Sequence, residues 1–316
     1  MEPRTDILLI SSDRAAEVRY ALPLALAQPN ARVTVIDNAC TDETASLAAD
    51  AGAHVLRLER RQSWCAANNA AIAATEADEV LLLNADCFLA PDFLERMRPR
   101  LWEPEIGSVA PKLIRAAGPG ESLNEIDTAG LILDRRRKNN LIGHGAPAHS
   151  YSTPGLCFGA DGAAALFRRE TLNDCAIDGR PLDEDFEKYA SDVDLAWRAQ
   201  LLGWRCAYEP SATALHIRTY SPSTRAQVSA GERRQQFRNR YLMMLKNDTG
   251  RGLARDGALV AGYEVLALGH VLVRERELLG GYREAARLAR RALTQRRSVQ
   301  ARRRIKGPPF GLRPPA

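Results

Sequence analysis

Short apolar runs alternate with amphipathic stretches along the first hundred residues. Residues 7–10, 33–36, 54–58 and 80–83 are runs rich in Ile, Leu and Val, too short for helices, and they predict strands. Between them, residues 15–27, 44–51 and 65–74 carry apolar side chains at three- and four-residue spacing, the period of helices with one buried face. Strand, helix and strand in repetition predict a largely parallel sheet covered by helices on both faces. Pro91 and Asp92 open a further helix over 93–101, with proline in the first turn where its missing N–H is tolerated.

The alternation breaks over 118–155, where Gly, Pro, Asn and Arg dominate and Arg135-Arg136-Arg137-Lys138 forms a basic run. Long loops or a small antiparallel excursion both account for this stretch. Regularity returns at 162–167, at a helix beginning near Asp192, and at a strand over 206–208 that leads through Pro210 to His216. Beyond His216 the chain turns to long helices rich in Arg and Leu. A boundary near Ser221 divides it into an α/β unit, 1–220, and a basic helical region, 221–316.

Within that region, 257–273 is apolar but carries Glu264 and His270 and is short for a bilayer span, whereas 283–306 is dense in Arg. An apolar helix followed by a basic one predicts either a monotopic anchor on anionic lipid or two soluble helices with a solvated basic face.

Composition narrows the class. A chain of 316 residues with 45% hydrophobic content suffices for one large α/β domain or a core with an appendage. The 6 cysteines show neither zinc-ligand nor dithiol spacing and read as reduced, mostly buried thiols. Residues 1–6 lack a basic and apolar leader pattern, so a cytoplasmic location is expected, at the membrane face if the C-terminal helices anchor there. The net charge of +5 suits an anionic partner. No aromatics interleave with the Arg runs, so no specific nucleic acid is expected. Ser11-Ser12-Asp13-Arg14 follows the first strand without the glycines of a dinucleotide or P-loop turn.

Four positions carry candidate chemistry. The run 79–83 stops on Asn84-Ala85-Asp86, which places Asp86 at the carboxyl rim of a strand, where open α/β sheets bind ligands. A metal or phosphate-site carboxylate and an Asx-turn both fit there. Asp37 ends the second strand in the same way and could accept from a ribose hydroxyl or a base N–H, while Thr41 and Asp42 read as helix caps. Asp192 sits in the first turn of a helix behind Ser191 and Asp194, which match a capping box. Val193, Ala196, Trp197 and Leu201 share one face of that helix and would anchor it.

Asp192 then suits a general base, with the helix dipole lowering its pKa and the acidic neighbours Asp183, Glu184, Asp185 and Asp194 raising it. A solvated acidic helix start is the alternative. His216 follows a strand on the rim of Asp86; an imidazole with a carboxylate suits a first-row divalent ion, and a structural histidine remains the other reading.

In order and spacing, 33–42, 66–70, Leu83-Asn84-Ala85-Asp86, 162–169, 183–186, 191–198, Gly203-Trp204 and His216 resemble inverting glycosyltransferase family 2. The resemblance covers about the first two-thirds of the chain. Among its members the bacterial rhamnosyltransferase-like enzymes of cell-wall and surface polysaccharide synthesis are most similar.

It implies a GT-A fold, a mostly parallel sheet with helices on both faces, followed here by a helical extension. It implies a nucleotide-diphosphate sugar donor, dTDP-rhamnose among the candidates, and a glycan or polyprenyl-linked acceptor. Asp37 would hold the nucleoside with Ser11 and Asn68, and Asn84 and Asp86 would lie at the donor. Asp86 and His216 would bind Mg2+ or Mn2+, Asp192 would be the base, and Asp161, Gly162 and Trp197 would line the acceptor side. Three positions depart from the pattern: Arg61 and Ser63 stand where Asn and Gly are common, Asn84 replaces an acid, and Ser191 replaces a Glu. The other readings are a sugar-phosphate nucleotidyltransferase, for which the first loop lacks the glycine-rich basic signature, and a non-catalytic binding protein with a basic tail.

Overall fold

The computed structural model of the chain describes residues 5–218 and 227–316. Strands β1 (Thr5–Ser11), β2 (Ala31–Asp37), β3 (His54–Arg57) and β4 (Glu79–Asn84) form the parallel half of a ten-stranded sheet, joined by helices α1 (Ala15–Leu26), α2 (Thr44–Asp50) and α3 (Trp64–Ala73). β1 is buried along its whole length, which is why it reads as a continuous apolar run: a central parallel strand is covered on both faces. Along β1 the side chains alternate between two cores, Leu8 and Ile10 on one face, Ile7 and Leu9 on the other.

The chain continues through β5 (Cys87–Leu89), α4 (Phe93–Leu101), β6 (Ile106–Gly118), β7 (Glu121–Thr128), β8 (Leu131–Leu133), β9 (Asn139–Leu141), β10 (Gly155–Cys157), β11 (Ala164–Arg168) and α5 (Arg169–Cys175). A 3₁₀ turn at Glu184–Phe186 precedes α6 (Ser191–Leu201) and β12 (Arg205–His216). The sheet order is β10-β12-β6-β11-β4-β1-β2-β3, with β11 antiparallel to β4 and β6, so the sheet is mixed although mostly parallel at its centre. The predicted irregular stretch is the antiparallel excursion: β7 folds back on β6, and β8 and β9 pair as a hairpin. The strand expected over 206–208 extends through Pro210 to His216, slipping register between Glu209 and Thr213 where proline interrupts the ladder.

The capping box does not form. Ala190, in the left-handed region with φ 59°, is the N-cap of α6, and Ser191 Oγ donates instead to the Lys188 carbonyl. Asp194 is fully buried: it accepts from Arg198 at 3.0 Å and Asn247 at 2.8 Å and lies 3.0 Å from Lys246 Nζ, which also bonds Asp183. Thr41 does not cap α2, because its N–H and hydroxyl both donate to Asp13. Asp42 serves two helix starts, accepting from Ala15 N at 2.8 Å and Thr44 N at 3.1 Å.

Helices α7 (Ala230–Asn247), α8 (Gly250–Arg274) and α9 (Leu279–Ala301) follow. The expected boundary at Ser221 lies outside the described residues. The helices beyond it share the main core, where Leu242, Met243, Ala292 and Val299 cluster with Trp197, Phe186 and Val193. Arg137, from the basic run, is fully buried between Asp248 and Asp256 at 2.8 Å each, with the ring of Phe310 over its guanidinium. α8 runs for 25 residues, longer than the apolar run 257–273, and among the described residues it is the helix long and apolar enough to cross a membrane. All six cysteines are free and buried.

Candidate active site

Parallel register brings the predicted positions to one rim. Ser11 pairs with Asp37, Ile10 pairs with Asn84, and Asn84 N–H donates to the Ala163 carbonyl at 2.9 Å. The loop holding Asp161 and Gly162 therefore lies beside the ends of β1, β2 and β4. Asp37 is fully buried; its Oδ1 accepts from Cys40 N at 2.7 Å, and its Oδ2 has no hydrogen-bond partner, with the exposed Arg57 Nε 3.4 Å away. Ser11 shares a hydrogen bond of 3.0 Å with Thr44. Asn68 donates to the Trp64 carbonyl at 2.9 Å, and its buried Oδ1 is likewise without a partner. Arg61 bonds Asp13, and Ser63 caps α3 by accepting from Ala66 N at 3.2 Å.

β12 and β5 bring His216 opposite Cys87, and Ile217 N–H donates to the Asp86 carbonyl at 3.0 Å. His216 Nε2 then lies 3.5 Å from Asp86 Oδ1, a buried oxygen with no hydrogen-bond partner among the described residues. The other ring nitrogen, Nδ1, is 2.8 Å from Asp127 Oδ2. Arg218 joins this group, donating to Asp127 at 2.6 Å and to Asp161 at 2.7 Å.

Burial pulls the His216 pKa down, but the charge and bond of Asp127 and the nearby Asp86 outweigh it, and the imidazole is raised to about 9. Burial pushes the Asp86 carboxyl up; His216 and the Arg14 charge more than offset this and the net shift is downward. Asp127 is held well below the usual carboxylate range, because Arg218 and His216 overcome its burial. One oxygen and one nitrogen of the kind that bind a first-row divalent ion thus face each other, with the oxygen unpartnered and the far side of the ring held by a carboxylate. The residues present fit such an ion.

Asp192 stands across the rim loop, its Oδ2 accepting from Gly162 N at 3.2 Å and its Oδ1 from Val193 N at 2.8 Å. Burial, with the Asp161 charge second, raises it to about 6; the bonds from Gly162 and Val193 oppose this without reversing it. The cause differs from the expected acidic neighbours: Asp183 and Asp194 are tied up by Lys246. A side chain at Gly162 would meet the Trp64 ring at 3.0 Å, and Trp64 Nε1 donates to Asn84 Oδ1 at 3.0 Å.

Trp197 does not line the rim. Its ring is fully buried, edge-on to Phe310 at a centroid distance of 5.4 Å, because the C-terminal segment covers that side of α6. Three neighbours of the site were not anticipated. Asp127 lies in β7, where the sequence offers no regular pattern, and Trp64 sits just before the expected helix start. Arg218 could have been found by its two-residue spacing from His216, the strand period.

The sequence pattern of glycosyl transferase family 2 matches residues 7–175. The Sinorhizobium fredii protein y4gI is 27% identical over 198 residues, 60% of this chain and 20% of that protein. The succinoglycan biosynthesis protein ExoU of Rhizobium meliloti is 39% identical over 101 residues, 29% of this chain and 30% of that protein. The chain thus spans a third or less of the length of these relatives. Among solved structures, GalNAc-T7 with UDP, GalNAc and Mn2+ superposes with a TM-score of 0.60 at 12% identity, covering 77% of this chain and 48% of that one. The Pyrobaculum calidifontis mannosyltransferase PcManGT with GDP-Man and Mn2+ gives 0.57 at 16% identity, covering 96% and 86%. Residues 1–349 of S. aureus TarS with UDP-GlcNAc give 0.58 at 15% identity, covering 94% and 90%. The fold is therefore GT-A, and the chain belongs to glycosyl transferase family 2.

Proposed function

We propose that this chain transfers a sugar, with inversion at the anomeric carbon, from a nucleoside-diphosphate sugar to a hydroxyl of a glycan or lipid-linked acceptor during extracellular polysaccharide synthesis. The observation that carries the reading is the meeting of Asp37, Asp86 and Asp192 at one sheet rim from three separate parts of the chain. Asp37 Oδ2 and Asn68 Oδ1, buried and without hydrogen-bond partners among the described residues, suit donor groups of a base or ribose, with Ser11 beside Asp37. Asp86 and His216 would hold Mg2+ or Mn2+, as the GalNAc-T7 and PcManGT structures carry Mn2+. The ion would neutralise negative charge on the departing diphosphate.

Asp192 takes the proton of the acceptor hydroxyl as that oxygen attacks the anomeric carbon, and the nucleoside diphosphate leaves from the opposite face. A carboxylate raised to about 6 is ionised at neutral pH yet more basic than an ordinary aspartate. Asp161 and Gly162 lie on the acceptor side of this base. The ExoU match supports a polysaccharide role, and a rhamnosyl donor stays among the candidates with hexosyl ones.

The experiment is a panel of dTDP-rhamnose, UDP-sugars and GDP-mannose, scored by thermal shift with Mn2+ and then by release of nucleoside diphosphate. Wild type and Asp192→Asn should show the same donor-induced shift, with turnover in the variant lower by a factor on the order of 10² to 10⁴. Near-wild-type transfer by Asp192→Asn overturns the base assignment. Full activity in EDTA overturns the metal one.

A further inference from the structure

α8 presents an outward face that nothing covers among the described residues. Val265, Leu266 and Val273 are 71%, 73% and 74% exposed, and Leu259, Leu268 and Leu272 are exposed beside them. Between Ala258 and Val273 the single acid, Glu264, turns inward, its carboxylate accepting from Arg240 at 2.6 Å and from the Tyr241 hydroxyl at 2.6 Å. The face is therefore free of acids for about 24 Å of helix, with the exposed His270, 3.5 Å from Glu275, standing between Leu266 and Val273. Arginines bracket it, all exposed: Arg251 and Arg255 at one end, the latter paired with Asp256 at 2.8 Å, and Arg274 and Arg276 at the other, alternating with Glu275 and Glu277.

Three occupants could cover such a face. A second copy of the chain would set the bracketing arginines of one α8 against those of the other, in either parallel or antiparallel pairing, so like charges would meet at both ends. Insertion across a bilayer would pull α8 from its moorings, because Asp256 is buried against Arg137 at 2.8 Å and Glu264 against Arg240, and neither pair survives in hydrocarbon without its partner. An anionic lipid surface takes the apolar face and satisfies the arginines at both ends.

The next helix adds to the field. Arg283, Arg287, Arg290 and Arg297 recur on one exposed face of α9, and among the described residues no carboxylate pairs with them.

We propose that the outward face of α8 lies in the surface of an anionic bilayer, its axis in the membrane plane, with Val265, Leu266 and Val273 among the acyl chains and the bracketing arginines on lipid phosphates. This stands independently of the donor and of the roles given to Asp86, Asp192 and His216. It would hold the enzyme where a lipid-linked acceptor is presented.

The test is sedimentation of the full chain with vesicles of phosphatidylcholine alone and of phosphatidylcholine mixed with phosphatidylglycerol, whose negative surface potential attracts basic segments, at low and high salt. Wild type should pellet with the anionic vesicles at low salt, much less at high salt, and little with neutral ones. Val265→Glu/Leu266→Glu should lose at least tenfold in vesicle affinity while keeping the wild-type circular dichroism, since both side chains are exposed. Leu266→Trp provides a second readout: its emission should shift to shorter wavelength on adding anionic vesicles. Failure of wild type to pellet, unchanged binding by the double variant, or no shift for Leu266→Trp overturns the proposal. So does a wild-type dimer in sedimentation velocity that the double variant converts to monomer, which would assign the face to a second copy.

Discussion

His216 Nδ1 lies 2.8 Å from Asp127 Oδ2, while Nε2 of the same ring faces the unpartnered Asp86 Oδ1 at 3.5 Å. The two nitrogens thus have separate tasks. One is committed to a buried carboxylate that fixes the plane of the ring; the other, protonated at neutral pH because the pKa is raised to about 9, would give up its proton to ligate an ion. Residues 89 positions apart are joined here because β7 folds back on β6 and β6 runs beside β12.

Asp127→Asn should therefore loosen metal binding without touching Asp86 or His216 themselves. The expected outcome is a rise of about 10- to 100-fold in the Mn2+ concentration giving half-maximal activity, the range found for carboxylates behind ligating histidines. Activity at saturating Mn2+ should recover more than affinity does. Titration of initial rate against Mn2+ separates the two, and an unchanged half-maximal concentration contradicts the positioning role.

As the proposed base, Asp192 should set the pH dependence. Its raised pKa, about 6, means the basic form is lost as pH falls through that value, so kcat/KM should be level above about pH 7 and decline below 6. At pH 5 about a tenth of the carboxyl is ionised, and the rate should be about tenfold below its plateau. Asp161 supplies part of the upward shift, so Asp161→Asn should move the limb to lower pH. A limb that stays put in Asp161→Asn assigns the titration to another group.

Gly162 is fixed by two neighbours. An added Cβ would stand 3.0 Å from the Trp64 ring, and Trp64 also bonds Asn84 at 3.0 Å. Gly162→Ala should displace the indole and shift the rim loop that donates to Asp192. We expect a stability loss of about 1 to 3 kcal/mol, as for other overpacked sites. The fall in kcat should exceed that in donor affinity, measured by comparing turnover with donor-induced thermal shift.

The elements legible in the sequence were those with local causes. β1, β2 and β4 are buried on both faces or at the sheet centre, so burial alone wrote their apolar runs, and Asp37, Asn84 and Asp86 stand where those runs end. Asp127 left no such trace, because its partners His216 and Arg218 come from the far end of β12, and pairing across sequence leaves no period. Trp197 was misread for a related reason. The spacing of α6 correctly gave a buried face, but what buries it is Phe310, from the C-terminal segment. Ser191 and Asp194 matched a local capping pattern, yet Lys246 and Asn247 from α7, with Arg198 one turn further along α6, claimed the carboxylate.

Lys246 tests whether the C-terminal helices are an appendage or part of the catalytic unit. Its ammonium is fully buried on α7, bonded to Asp183 and 3.0 Å from Asp194, two residues beyond the candidate base. Lys246→Met keeps most of the side-chain volume but leaves Asp183 a buried carboxylate without its cation, while Asp194 retains Arg198. Breaking a buried pair in this way costs about 3 to 5 kcal/mol, which corresponds to a Tm lower by on the order of 10 °C. Removing the stranded charge as well, in Lys246→Met/Asp183→Asn, should recover part of the loss, because an amide is far less costly to bury unpaired than a carboxylate. Calorimetry decides the matter: if α7 belongs to the shared core, the whole transition moves as one. If the helices beyond 226 unfold by themselves, a separate low-temperature transition appears and the main one stays where it was.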